Sequence, residues 1–276
     1  MKPRAKKRMF EGAVFLLALV YSIPLYLIIV NSFKSTEQIL QRPLSFPDFS
    51  VGFDNFVRAA KAMEILKSYG VTVTIAALSL SYVIVFSSMA AYAIARIEHW
   101  FFRTIYWFYV SLIMMPIQAG FIPLIFVLKK LHLYNNLFGI SAVYVGVLSA
   151  FSIFMYVGFI RGISTELEEA AKIEGCSMFR LFAQIIFPLL KPISASLFIF
   201  HFVHIWDDLL LPLVVLTSNK YPTVTLGLYK FVTDLGQTDL SLLFGGFILV
   251  LLPIAAMFLL LQKYFVDGIQ EGALKI

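Results

Sequence analysis

The sequence is short of the residues on which most soluble enzymes and metalloproteins are built. One cysteine, Cys176, excludes an intramolecular disulfide and any Cys-rich metal site. Four histidines occur, His99, His132, His201 and His204, and none stands in a His-Glu-x-x-His arrangement. A Gly-rich phosphate loop, a Gly-x-Ser-x-Gly elbow and a paired acid/base constellation are all missing, so the residues name neither a catalytic group nor a metal ligand. Charge is scarce as well, with only 14% of residues charged against 60% hydrophobic, 28 Phe and a mean hydropathy of +0.87. A soluble core of 276 residues cannot bury that much apolar surface, and the expected solvent is a bilayer.

Spanning takes about 20 predominantly apolar residues per helix. Six runs qualify: Ala13 to Val30, Val71 to Ala95, Ile105 to Val127, Phe138 to Phe159, Ile193 to Leu216 and Leu242 to Phe265. The first follows a basic "MKPRAKKR" but has no small-x-small cleavage pattern, so it is expected to be an uncleaved span. With the N-terminus cytoplasmic, 13 of the 22 basic residues lie inside, and both termini are expected there. The net charge of +6 then reflects membrane orientation, with no nucleic-acid partner implied. The segment 31–68 is the largest outside loop, with a short helix expected around Asn55 to Leu66.

Against this apolar background the segment 161–191 stands out. Thr165 and Glu168 have capping-box spacing, Glu168 and Lys172 form an i, i+4 pair in the favourable order, and Gly175 ends the helix they predict. Ser177 can cap a second helix with an apolar face through Phe179, Phe182, Ala183 and Ile186, until Pro188 and Pro192 interrupt it. On the first helix Leu167, Ala170 and Ala171 share a face within a rim of Glu166, Glu168, Glu169, Lys172 and Glu174. A helix lying on lipid favours Lys and Arg opposite its apolar side. The acidic rim therefore favours a cytoplasmic protein partner over a connector resting on the membrane.

Glu169-Ala170-Ala171, then Gly175, Ile185 and Pro188 at fixed spacing, resemble the EAA loop of ABC importer permeases, with Phe187 where that family usually has Leu. The stretches "AAYAIARI", "MMPIQAGFIPLIFVLKKLHLYNNLFGI", "IWDDLLLPLVVL" and "LLLQKYFVDGIQEGALKI" are similar to carbohydrate permeases of the maltose-transporter type, in particular their six-span second subunit. Two places depart: "WDD" replaces the commoner Trp-Asn-Asp or Trp-Asn-Glu, and "EHWFF" replaces a Pro-Gly-bearing turn. The resemblance implies an all-α membrane protein with six transmembrane helices and a coupling helix between the fourth and fifth, residues 1–276 forming one permease domain of a prokaryotic plasma membrane. It further implies ATPase coupling through Glu168, Glu169, Ala170, Ala171, Gly175 and Pro188. The implied partners are a second permease, two ATPase subunits that bind ATP and Mg, an extracytoplasmic sugar-binding protein, the sugar and membrane lipid; this chain binds no cofactor itself.

Candidate path residues follow from breaks and buried charge. Pro116, Gly120 and Pro123 interrupt the third run, and such breaks survive where they face protein or a wet cavity. Gln118 inside the break can hydrogen-bond a sugar hydroxyl, or its own backbone. Asp207 and Asp208 lie roughly 22 to 24 Å along the fifth run from Pro192 at about 1.5 Å per residue. There they must face protein or water. Beside them are Trp206 and His204, which shares a helical face with Asp208 and can pair with it. These groups either line or gate the sugar path or hold two permeases together. Gly245 and Gly246 predict close helix contact, Pro253 predicts a kink, and the polar "DGIQEGALKI" tail is expected inside. A secondary transporter driven by an ion gradient is the rival reading, and would give Asp207 and Asp208 the coupling role.

Overall fold

The computed structural model describes residues 3–47, 51–217, 220–233 and 239–273, with the backbone alone for 3–6, 8, 9, 233 and 261–273. Among the described residues the secondary structure is helical throughout. Four helices are long and apolar enough to cross a membrane: Phe10–Asn31, Ile65–Arg96, Leu137–Arg161 and Leu240–Leu260. Two bent pairs bring the number to six if each is one span.

Both bent pairs break where prolines are expected to interrupt the chain, at Pro116 in the third run and between Pro188 and Pro192 before the fifth. Trp100–Ile113 and Ile117–Lys130 meet at 98°, far more than a proline kink. Pro116 supplies an extended residue (φ −69°, ψ 121°), and a 3₁₀ turn, Ile117–Gly120, leads into Phe121–Lys130. Ahead of the fifth run the chain bends by 70° between Met178–Leu189 and Lys191–Asp207, and the helix that carries the run ends at Asp207, not Leu216. A separate short helix, Leu210–Val215, follows. Pro253, by contrast, lies inside the continuous helix Leu240–Ala273. The tail expected inside belongs to this helix as far as Ala273; its side chains and residues 274–276 lie outside the described residues.

The chain forms two compact units. One comprises residues 1–66 and 226–253. In it the expected outer-loop helix is Asp54–Ala62, closed by Met63 before Glu64 (φ 48°) turns the chain into the next helix. Asn55 is fully buried and its Nδ2 donates to the carbonyls of Ser32 and Lys34, stapling this helix to the end of the first span. The glycine pair packs here as its residue type predicts: a Cβ on Gly245 would stand 3.0 Å from the Asn55 carbonyl oxygen, and one on Gly246 2.8 Å from Leu228 Cδ1.

The second unit comprises residues 67–225 and 254–276. Its core gathers Ala91, Tyr92 and Ile94 from Ile65–Arg96, Ile153, Tyr156 and Ile160 from Leu137–Arg161, and Ala171, Leu181, Phe182 and Ile186 from the segment between the fourth and fifth runs. That segment is thus folded onto the ends of the long helices as part of their core.

Candidate functional site: the loop helix and its clamp

The expected helix exists as Glu166–Ile173, which we call the loop helix, but its start is built differently. Thr165 makes no side-chain cap; the Ser164 hydroxyl accepts from the Glu166 amide at 3.2 Å. The capping box fails because Glu168 has better partners. Its carboxylate, 2% exposed, accepts from the Tyr92 hydroxyl at 2.8 Å through Oε2 and from Arg96 Nε at 2.6 Å through Oε1. Arg96 also donates to the Ile163 carbonyl at 2.8 Å. Both carboxylate oxygens are therefore occupied, and no ion pair to Lys172 forms among the described residues. A buried charge-assisted pair is geometrically demanding and fixes the helix to the cytoplasm-predicted end of Ile65–Arg96.

The exposed face also differs from the one expected. Ala171 is 7% exposed and turns inward beside Glu168, whereas Leu167 is half exposed and Ile173 is 88% exposed. On a helix of 3.6 residues per turn, burial of positions 168 and 171 points Glu166, Glu169, Ala170 and Ile173 outward. The surface offered is one small residue and one aliphatic side chain between two carboxylates, continued by exposed Met178 and Phe179.

Gly175 ends the helix as predicted. Its φ of 78° is left-handed, its N–H donates to the Lys172 carbonyl, and the Cys176 N–H donates to the Ala171 carbonyl. These two bonds make a complete Schellman motif, which favours glycine at this position. Ser177 then caps the next turn by accepting from the Arg180 amide at 3.4 Å. The predicted apolar face is shifted, however: Leu181, Phe182 and Ile186 are buried while Phe179 and Ala183 are exposed. A π-turn over Phe182–Ile186, in which the Phe187 N–H reaches the Phe182 carbonyl, causes the shift. Pro188 has no N–H for the preceding turn and its ring would strike that turn's carbonyl in a regular α-helix; one extra residue per turn relieves both.

The second group of candidates is dispersed. The Gln118 side chain is exposed and makes no hydrogen bond among the described residues, so it is not tied to its own backbone. Trp206 is buried at 5.6 Å from Tyr69 and 5.5 Å from Phe202, ring to ring. Asp207 is exposed at the helix end. Asp208 is extended (φ −71°, ψ 122°) and does not pair with His204. Its carboxylate accepts from the Tyr144 hydroxyl at 2.9 Å and from the Leu210 and Leu211 amides, and its carbonyl accepts from Thr225 Oγ1. Asp208 thus holds the first two amides of Leu210–Val215 and ties this helix to Leu137–Arg161. The sequence held no sign of Tyr92, Arg96 or Tyr144 as partners, beyond a basic residue closing a long apolar run.

Residues 83–270 match the family described as "Binding-protein-dependent transport system inner membrane component". The chain belongs to that family. Two relatives resemble this inner membrane component over nearly its whole length. The probable starch degradation products transport system permease protein AmyC of Thermoanaerobacterium thermosulfurigenes is 32% identical, over 99% of both chains. The melibiose/raffinose/stachyose import permease protein MelC of Bacillus subtilis (strain 168) is 31% identical, over 94% of both. In fold the permease is similar to a chain from the crystal structure of a bacterial ABC transporter involved in the import of the acidic polysaccharide alginate, with a TM-score of 0.79 over 96% of this chain and 99% of that one at 22% identity. The family match includes both the loop helix and the Arg96 clamp.

Proposed function

We propose that this chain is one of two permease subunits of an ATP-driven importer for a sugar or oligosaccharide, acting as a single permease domain in a prokaryotic plasma membrane with both termini cytoplasmic. The observation that carries the reading is the loop helix: an exposed Ala170 and Ile173 between Glu166 and Glu169, on a support locked by the Glu168–Arg96 pair. A partner ATPase seats on that face, and the Glu168, Ala171, Gly175 and Pro188 contacts carry its displacement into the long helices. ATP and Mg belong to the two ATPase subunits, and an extracytoplasmic binding protein delivers the solute. The names of AmyC and MelC support a carbohydrate substrate. Gln118, with a free amide at a 98° break, is the best placed of the path candidates, and Asp207 is the next. Asp208 and Trp206 support the path as structural members.

The test is a pull-down of the tagged chain from detergent-solubilised native membranes, for wild type and Gly175→Asp. Co-purification of an ATPase and a second permease with wild type, and loss of the ATPase alone with the variant, is the expected result. A chain that comes down alone and moves solute on an ion gradient would overturn the proposal and favour a secondary transporter.

A further inference from the structure

Beside the Arg96 clamp, the ends of three helices border an open cavity of about 600 Å³ that the transport reading does not use. It is lined by Ile94, Ala95 and residues 97–100 at the end of Ile65–Arg96 and the turn after it, by Arg103, Tyr106 and Trp107 of Trp100–Ile113, and by Arg161 at the end of Leu137–Arg161. Three features define its chemistry. Arg103 and Arg161 line it without an ion pair among the described residues, and Arg161 lies over the Tyr106 ring at 5.5 Å. The His99 Nδ1 accepts from the Phe101 amide at 3.2 Å, which leaves the ring proton on Nε2 as a donor. Glu98 is the one carboxylate in the lining, so with both arginines charged the cavity keeps an excess positive charge.

The surroundings distinguish a lipid from a soluble ligand. Trp100 and Trp107 on the rim are 66% and 62% exposed, and the neighbouring Phe101 and Phe108 are also exposed. Aromatic side chains at the end of an apolar helix mark the membrane–water boundary, and unpaired arginines between such helices are suited to an anionic headgroup. We infer that this cavity is a binding site for the phosphate of an anionic phospholipid, held by Arg103 and Arg161 with the acyl chains along Trp100 and Trp107.

The tryptophans provide the assay. The chain has three, Trp100, Trp107 and Trp206, of which the last is buried. The full chain is reconstituted in unbrominated phosphatidylcholine, brominated phosphatidylglycerol or, in parallel, brominated phosphatidylcholine replaces it stepwise, and the ratio of the two tryptophan-quenching curves gives the relative affinity. Wild type should prefer the anionic lipid by roughly fivefold, the value of about one net charge near a membrane surface. Arg103→Gln with Arg161→Gln should bring the ratio to about one while leaving quenching by phosphatidylcholine intact, which shows the variant folded and embedded. Lys129→Gln with Lys130→Gln removes the same charge elsewhere and should keep the preference. Retention of the preference in the arginine variant, or equal loss in the lysine control, would overturn the assignment. Displacement of the anionic lipid from wild type by millimolar glycerol phosphate would overturn it too, and identify a soluble phosphate as the occupant.

Discussion

Glu168 shows how one carboxylate changes role when its partners come from a distant segment. In sequence it belongs to a capping box; in the fold Tyr92 and Arg96 take both oxygens. Removing one partner of such a pair strands a buried charge, at a cost of about 3 to 5 kcal/mol. Arg96→Ala and Glu168→Ala are each expected to lower thermal stability in detergent sharply, and the double variant to be less damaging than the sum, a coupling a double-mutant cycle measures directly. A second carboxylate makes a pH prediction. Asp239 is partly buried, which alone would raise its pKa, but hydrogen bonds from Ser241, Thr36 and the Leu242 amide, with the Arg58 charge, hold it below the usual carboxylate value. The unfolded chain therefore takes up this proton first as pH falls. Asp239 contributes its full stability above about pH 5 and loses it as pH drops through the lowered folded value. Melting temperature against pH should fall in that acid window for wild type, and Asp239→Asn should be less stable at neutral pH with a flatter acid limb.

At the scale of elements, the loop helix divides its alanines between two tasks. Ala171 is in the core and Ala170 faces out. Ala171→Leu should overpack the site and destabilise the protein by about 1 to 3 kcal/mol, read as a lower melting temperature. Ala170→Leu should leave the melting temperature within error and weaken ATPase co-purification, because it alters only the offered surface. Equal melting losses in the two variants would remove the distinction. The broken elements were less legible. Pro116, Gly120 and Pro123 mark an interruption, yet residue types do not encode a 98° angle. Nor does Pro188 by itself announce a π-turn, although that turn decides which of Phe179 and Phe182 is buried. Local propensity locates a break; the packing of the segments on either side sets its geometry.

For the molecule as a whole, the single cysteine is a built-in probe of orientation. Cys176 lies in the segment whose exposed helix we propose meets a cytoplasmic ATPase, and it is partly accessible. A membrane-impermeant maleimide should leave it unlabelled in intact cells and label it once the membrane is permeabilised. Labelling in intact cells would invert the proposed topology and remove the ATPase from contact with the loop helix.

Composition and spacing by themselves determined the solvent, the apolar runs, the glycine stop at Gly175 and the existence of an acidic helix between the fourth and fifth runs. Each of these depends on interactions within a few residues or on summed hydropathy, both of which a linear chain displays. Tertiary structure alone decided that Glu168 pairs with Arg96, that Ala171 faces in and Ala170 out, that Asp208 holds the first two amides of a new helix under Tyr144 and does not lie within the span of His204, and that Arg103 and Arg161 line one cavity. Those outcomes depend on which of several competing partners distant segments bring within reach, Arg96 and Glu168 being 72 residues apart. Local spacing leaves that competition open; packing resolves it.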